Sequence, residues 1–297
     1  MNFSKAGESA HRRFSLLPFF IKCAMIVSSK SEDESMARVV PLFSGSKGNC
    51  YYIGTAAEGV LIDAGRSCKQ IEMAMEANGL SMKSVAAVFV THEHIDHCQG
   101  LRVLTKKNKL PVFASAGTLN ALAAKNYLFE GGKNEVITSE IALGNMKIQR
   151  VNTSHDAAES CCYRVTAPDG KVAMIATDLG FVSEPIRAAL ARCDFVVLES
   201  NHDVDMLRTG PYPYPLKRRI LSDIGHLSND ACAVELAQLV GSGTCRLMLG
   251  HLSEQNNTPQ LALRTAVAEL GRAGMKFKSD YTLDIAPYNP TIKSVIF

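Results

Sequence analysis

The chain has 297 residues, of which 46% are apolar and 21% charged, with a mean hydropathy of +0.02. Those figures exclude a disordered chain, a collagen and a coiled coil, and they allow a sizeable core in one large domain or two small ones. A formal net charge of +3 is too slight to announce a nucleic-acid partner unless the basic residues cluster.

In chain order, residues 1 to 35 differ from the rest. The apolar stretch Phe14 to Val27 is interrupted by Pro18 and Lys22 and falls short of the roughly 18 uninterrupted apolar residues a membrane-spanning helix needs. The polar run SSKSEDES behind it is unlike a signal-peptide cleavage region. The expectation is an N-terminal extension over 1–35, disordered or not native, no membrane span, and one domain over 36–297. From Val39 the segments VVPLF, CYYIGT and VLIDAG, separated by the turns SGSKGN and AAEG, read as a β-hairpin meander. Ser67 to Gly79 opens on a capping serine, spaces Ile71 and Met75 helically and closes on glycine, so a helix is expected.

A buried strand, SVAAVFV, runs into a histidine cluster, and a helix follows it. KLPVFAS then reads as a strand and GTLNALAAKN as a helix. NEVITSE, MKIQRVNTSH, CCYRVTA and KVAMIATD read as strands, the last two joined at Pro168-Asp169-Gly170. The remainder alternates: helix SEPIRAALARC, strand DFVVLES, a Pro/Tyr-rich loop GPYPYPLKRR, helix SNDACAVELAQLVG, strand CRLMLGH and helix TPQLALRTAVAEL. Two strand blocks, each followed by helices, predict an α/β (α+β) four-layer αββα sandwich. Nine cysteines, an odd number without a C-x-x-C pair, point to free thiols in a reducing cytoplasm rather than to a disulfide framework or a zinc ribbon.

Chemistry concentrates in Thr91-His92-Glu93-His94-Ile95-Asp96-His97, at the end of an apolar strand. Three imidazoles and two carboxylates in six residues are costly to desolvate together unless a cation sits among them, and a metal is the simplest such cation. His155, His226 and His251 each fall at or just after the end of a predicted strand or loop, and Asp178 ends KVAMIATD in the same way. With the cluster they supply enough ligands for two first-row divalent ions and a bridging carboxylate. Two such ions activate a shared water and stabilise both oxygens of a displacement, which favours hydrolysis. Zinc, manganese and iron suit these donors equally.

The series His92-x-His94-x-Asp96-His97, His155, Asp178 and His251, preceded by LIDAG with Asp63, resembles the five-motif signature of the metallo-β-lactamase superfamily. That resemblance implies a metallo-β-lactamase-like fold over residues 39 to about 290. It implies one metal held by His92, His94 and His155, a second held by Asp96, His97 and His251, and Asp178 bridging them. Asp63 would then orient a ligand histidine by hydrogen bond; the alternative is an ordinary capping aspartate in a turn.

VVLESNHD and IGHLSNDACAVELA resemble the motif pair of RNase Z-type phosphodiesterases. The resemblance implies that Glu199 orients His226 and that His226 protonates the leaving group, with a metal-bridged hydroxide as nucleophile; the alternative for His226 is a helix-start histidine satisfied by backbone. Asp178 follows His155 by 23 positions and His251 follows Asp178 by 73, too few for the tRNA-gripping arm of RNase Z or the large cap of RNase J.

Nearly end to end from Met36, through FSGSKGNCYYIG, THEHIDHCQG, ESNHD, GPYPYPLKRRI and HLSEQNNTP, the chain resembles the YycJ/WalJ family. That resemblance implies a 5′→3′ exonuclease on DNA associated with repair, with repair-protein partners a further expectation and the oligomeric state open. Ser46 and Asn49 in the Gly-rich turn could contact the substrate backbone, or the turn is a plain hairpin turn. Arg208, Lys217, Arg218 and Arg219 flank Tyr212 and Tyr214 before His226, where cations can hold phosphates and rings can stack on an unpaired end. A second run, Arg102, Lys106, Lys107 and Lys109, is a substrate contact or a solvated face. His202 is expected to be a loop histidine. Two alternatives stand against a nuclease: a small-molecule metallohydrolase of the glyoxalase II or lactonase kind, and a non-enzymatic member of a regulatory or repair assembly.

Overall fold

The computed structural model describes residues 35–289 and 294–297; Ser35 apart, the expected extension over 1–35 lies outside the described residues. β1 (Arg38–Phe43), β2 (Cys50–Gly54) and β3 (Gly59–Ile62) form the expected antiparallel meander. Parallel strands need a crossover. α1 (Cys68–Ala77) supplies it between β3 and β4 (Val85–Phe89). The short α2 (Ile95–Cys98) and α3 (Leu101–Asn108) lead to β5 (Val112–Ala114), and α4 (Ala116–Ala124) leads to β6 (Asn134–Val136). α1 begins with a capping box in which Ser67 and Gln70 exchange bonds across the first turn.

The second sheet opens as an antiparallel run of β7 (Glu140–Leu143), β8 (Met146–Asn152), β9 (Cys161–Thr166) and β10 (Val172–Ala176). After α5 (Glu184–Leu190) it continues in parallel through β11 (Phe195–Glu199), β12 (Arg246–Gly250) and β13 (Thr282–Ile285). The connection from β11 to β12 carries α6 (Val204–Thr209), α7 (Tyr214–Ile220) and α8 (Asn229–Gly241), and α9 (Pro259–Arg272) precedes β13. β14 (Val295–Ile296) pairs with β1, so among the described residues each sheet has seven strands.

Alternation along the strands divides the apolar side chains among three cores, because successive Cβ atoms leave opposite faces of a sheet. Val39 and Val197 lie between the sheets beside Phe89, Tyr163 and Met248. Their neighbours Val40 and Val196 face outward, the first toward α1, α3 and α4 and the second toward α5, α8 and α9. The result is the expected αββα sandwich, with two mixed sheets inside helical layers.

Two expectations are corrected. NEVITSE is not one strand: its start is β6, at the edge of the first sheet, and its last residue opens β7, at the edge of the second. The chain crosses between sheets over residues 137–139, where Ile137 donates its N–H to Ala114 O and Ser139 O accepts from Arg150 N–H. GPYPYPLKRR is not all loop, since residues from Tyr214 onward fold as α7. Pro215 falls in the first turn, where a helix has no use for the missing N–H.

Candidate metal centre and active-site cavity

The site forms where strands end. β4 delivers Thr91 and the histidine cluster, β3 delivers Asp63, β10 Asp178, β11 Glu199 and β12 His251. Three of these residues turn sharply off their strands with positive φ: Asp63 at 63°, Asp178 at 59° and His251 at 53°. Such backbone costs on the order of 1–3 kcal/mol per non-glycine residue and gathers at functional sites. The bare backbone of Gly65 lies under the cluster, where a Cβ would come within 1.7 Å of Asp96 O. Tyr163 Oη reaches from the inter-sheet core to donate to Val90 O at 2.9 Å, fixing the strand end from which the cluster springs.

His92, His94 and His155 bring ligand nitrogens together, as do the ligand atoms of Asp96, His97 and His251. Asp178 stands between, with Oδ2 at 3.3 Å from His97 Nε2, and Oδ1 at 3.2 Å from His251 Nδ1 and 3.8 Å from His155 Nε2. The outward nitrogens are pinned by acceptors. His155 Nδ1 donates to Gly225 O at 3.0 Å, His97 Nδ1 to Asp63 Oδ2 at 2.8 Å and His251 Nδ1 to Glu199 Oε1 at 2.9 Å. A carboxylate or carbonyl accepts only, so each such bond puts the proton on Nδ1 and leaves Nε2 for a cation. Asp63 also accepts from Thr91 N–H and Oγ1.

Buried Asp178 Oδ2 and His251 Nε2 have no hydrogen-bond partner. Such atoms almost always find one, and a cation among these imidazole and carboxylate donors completes both. Burial pushes His251 down, yet Asp178, Asp96 and Glu199 outweigh it and lift the imidazole to about 10. His97 is raised in the same way, with burial overcome by Asp178, Asp63 and Asp96. His92 moves the other way, because burial acts together with the neighbouring His97, His155 and His94. Asp178 is held ionised against burial by His251, His97 and His155.

Glu199, fully buried, serves two imidazoles. Its Oε1 accepts from His226 Nδ1 at 2.8 Å as well as from His251, and its Oε2 accepts from the N–H groups of Leu179 and Leu227. Its carboxylate is lowered because His226 and His251 outweigh the effect of burial. A cavity of about 210 Å³ is lined by His94, Asp96, His155, Asp178, His226 and His251 together with Ser46, Tyr212 and Arg219.

Among the residues expected to meet substrate, Arg219 makes a two-point pair with Asp156, Nη2 to Oδ1 at 2.7 Å. Lys217 Nζ donates to Arg208 O, and the Arg218 guanidinium lies 6.0 Å from the exposed Tyr214 ring. Asn49 is a correction. It is fully buried, its N–H donates to Asp96 O at 2.7 Å, and its Nδ2 lies 3.3 Å from Asp96 Oδ2 and 3.0 Å from His97 Nε2, so it braces those side chains and does not face outward. His202 lies in the loop between β11 and α6, where it is buried in an isolated bridge with Ser228, and burial pushes its imidazole down to about 4. Arg102, Lys106 and Lys107 lie on α3, outside the cavity lining. Cys98, beside His97, donates its thiol to His94 O at 3.0 Å, and burial pushes that thiol up. Sequence reasoning missed Asp156, although it directly follows His155, and it counted Glu93 among the cluster's cation-seeking carboxylates, whereas that carboxylate accepts from Ala158 N–H and steadies the His155 loop.

Among the described residues no helix is long and apolar enough to cross a membrane. The β-lactamase superfamily domain matches residues 59–252. The exodeoxyribonuclease YycJ of Bacillus anthracis is 37% identical over 259 residues, covering 84% of this chain and 96% of that protein. The exodeoxyribonuclease WalJ of Streptococcus pneumoniae serotype 2 is 35% identical over 261 residues, covering 84% and 94%. In fold, the chain is similar to the metallo-β-lactamase fold protein YhfI from Bacillus subtilis, with a TM-score of 0.65 and 14% identity over 86% of this chain and 98% of that one. The chain therefore belongs to the β-lactamase superfamily, in the family of YycJ and WalJ, and is a hydrolase of the metallo-β-lactamase fold.

Proposed function

We propose that residues 36–297 form a single hydrolase domain, a two-metal phosphodiesterase that degrades DNA from a 5′ end in the cytoplasm and serves repair. One observation carries this: seven His and Asp donors gather in one cluster, and five of them line a single cavity with Arg219 and with His226, which Glu199 holds. His92, His94 and His155 would hold one cation and Asp96, His97 and His251 the other, with Asp178 shared, and zinc and manganese suit the donors. Bound there, the pair supplies Lewis-acid stabilisation of the phosphodiester oxygens and activates water.

The remaining work falls to the chain. Arg219 and Ser46 line the same cavity as the donors, where a phosphate oxygen can be held. Glu199 fixes His226 through Nδ1, leaving Nε2 to give a proton from the imidazolium form to the departing oxygen. Arg218 and Lys217 on α7 offer charge to neighbouring phosphates, and Tyr214 offers a ring to an unpaired base.

The test is incubation of end-labelled single- and double-stranded DNA and RNA with the protein under Mn²⁺, Zn²⁺ or chelator. Release of nucleotides from the 5′ end of DNA, abolished by chelator, is expected. Turnover confined to thioesters or lactones would overturn the nuclease assignment in favour of a small-molecule hydrolase.

Metal uptake should also be proton-linked. His251 sits at about 10 without metal, so below that pH a cation must displace its proton. Log affinity is expected to rise by about one per pH unit between pH 6 and 9 for each proton displaced. Calorimetry in buffers of different ionisation enthalpy reads the protons released, and a pH-independent affinity would contradict the assignment of His251.

A further inference from the structure

Single exposed apolar residues are ordinary on a protein surface, whereas a group of them beside a cavity calls for a partner. Ile95, Ile224, Phe181 and Leu221 are 61%, 51%, 45% and 44% exposed, and each lies in a segment that adjoins residues lining the same cavity. Ile95 stands between the cavity residues His94 and Asp96, and Leu221 follows Ile220. Phe181 donates its N–H to Ser154 Oγ, next to His155, and Ile224 O accepts from Asp156 N–H. The backbone of Gly180 presses on Asp223 and Ile224, which brings the Phe181 and Ile224 loops together. The same rim carries the cations of α7.

The cavity is small. About 210 Å³ lies below the roughly 300–1,000 Å³ of ordinary ligand sites, so it admits the end of one strand and leaves no room for a paired one. A strand end drawn in by its phosphates must leave its bases outside, where these four exposed apolar side chains stand among the cations of α7. Phe, Leu and Ile side chains are the wedge that unstacks base steps in many DNA-bending proteins.

We propose that Phe181, Leu221, Ile224 and Ile95 receive the unstacked terminal bases of a DNA strand whose end phosphodiester lies in the cavity, so that the protein opens a duplex end as it shortens one strand. This rests on the nuclease assignment above. The test compares the wild type with the double variant Phe181→Ser/Ile224→Ser on a blunt duplex and on the same duplex with three mismatched terminal pairs. Both side chains are exposed, so melting temperature and bound metal should be unchanged. The variant's kcat/KM on the blunt duplex is expected to fall about tenfold or more, on the order of one lost base stack, and to fall at most about threefold on the mismatched end, whose opening is already done. An equal fall on both duplexes, or none, overturns the rim with the nuclease assignment intact. A wild type inactive on both duplexes and on single strands overturns the nuclease assignment and the rim with it.

Discussion

Asp178→Asn is expected to lower phosphodiester hydrolysis by a factor on the order of 10³–10⁴ while leaving the fold intact. The carboxylate lies within 3.8 Å of His97, His155 and His251 and is the negative charge shared by both halves of the donor cluster. Removing it leaves three imidazoles facing one another, and a cation loses the anionic ligand between the two triads. Several kcal/mol of transition-state stabilisation are at stake, and each 1.36 kcal/mol is a tenfold change in rate. Asparagine is the right replacement because residue 178 has φ of 59°, a conformation Asn tolerates and Ala does not. The measurements are kcat/KM on end-labelled DNA, metal per chain and the melting temperature of the metal-free protein. A variant with full metal content and more than a tenth of wild-type activity would show that Asp178 does not unite the centre.

How much of this was legible beforehand depends on the distance between partners. The cluster from His92 to His97 announces itself because its donors are sequence neighbours at the end of one apolar strand. His155, Asp178 and His251 are visible as strand-end residues, and the family resemblance joins them; their convergence is a property of the two sheets. What stayed hidden has local or mutual causes. The passage between sheets is written in an unbroken β-favouring run, NEVITSE, where only the pairing of Val136 with Ala114 and of Glu140 with Gln149 separates two strands. α7 was masked by Pro213, its N-cap, and by Pro215, which a first helical turn accepts. Asn49 reads like any turn residue until its amide is found beneath Asp96 and His97. The apolar rim could not be read at all, because Ile95, Phe181 and Ile224 are isolated in sequence and only the fold sets their segments beside residues of one cavity.

Glu199 and His226 should behave as one device, and leaving-group chemistry exposes it. His226→Ala is expected to lower kcat on DNA by about 10²–10⁴-fold, the usual contribution of a positioned proton donor. On a p-nitrophenyl phosphodiester the loss should shrink to less than about tenfold, because that leaving group departs as an anion without a proton. Bound metal should be unchanged, since His226 stands outside both donor triads. Glu199→Gln must do more harm. Its Oε1 serves His251 Nδ1 at 2.9 Å as well as His226 Nδ1 at 2.8 Å, and a neutral amide offers one acceptor oxygen where the carboxylate offers two. Lost orientation of a ligand histidine costs about 10–100-fold in metal affinity, so the Gln variant should combine a leaving-group-dependent defect with weaker metal binding. If the two residues act in series, the double variant at saturating metal is no slower than the more impaired single variant, the non-additivity expected of groups that work as a unit. Equal losses from His226→Ala on DNA and on the p-nitrophenyl ester would remove proton donation from His226 and leave Glu199 as a brace for His251 alone.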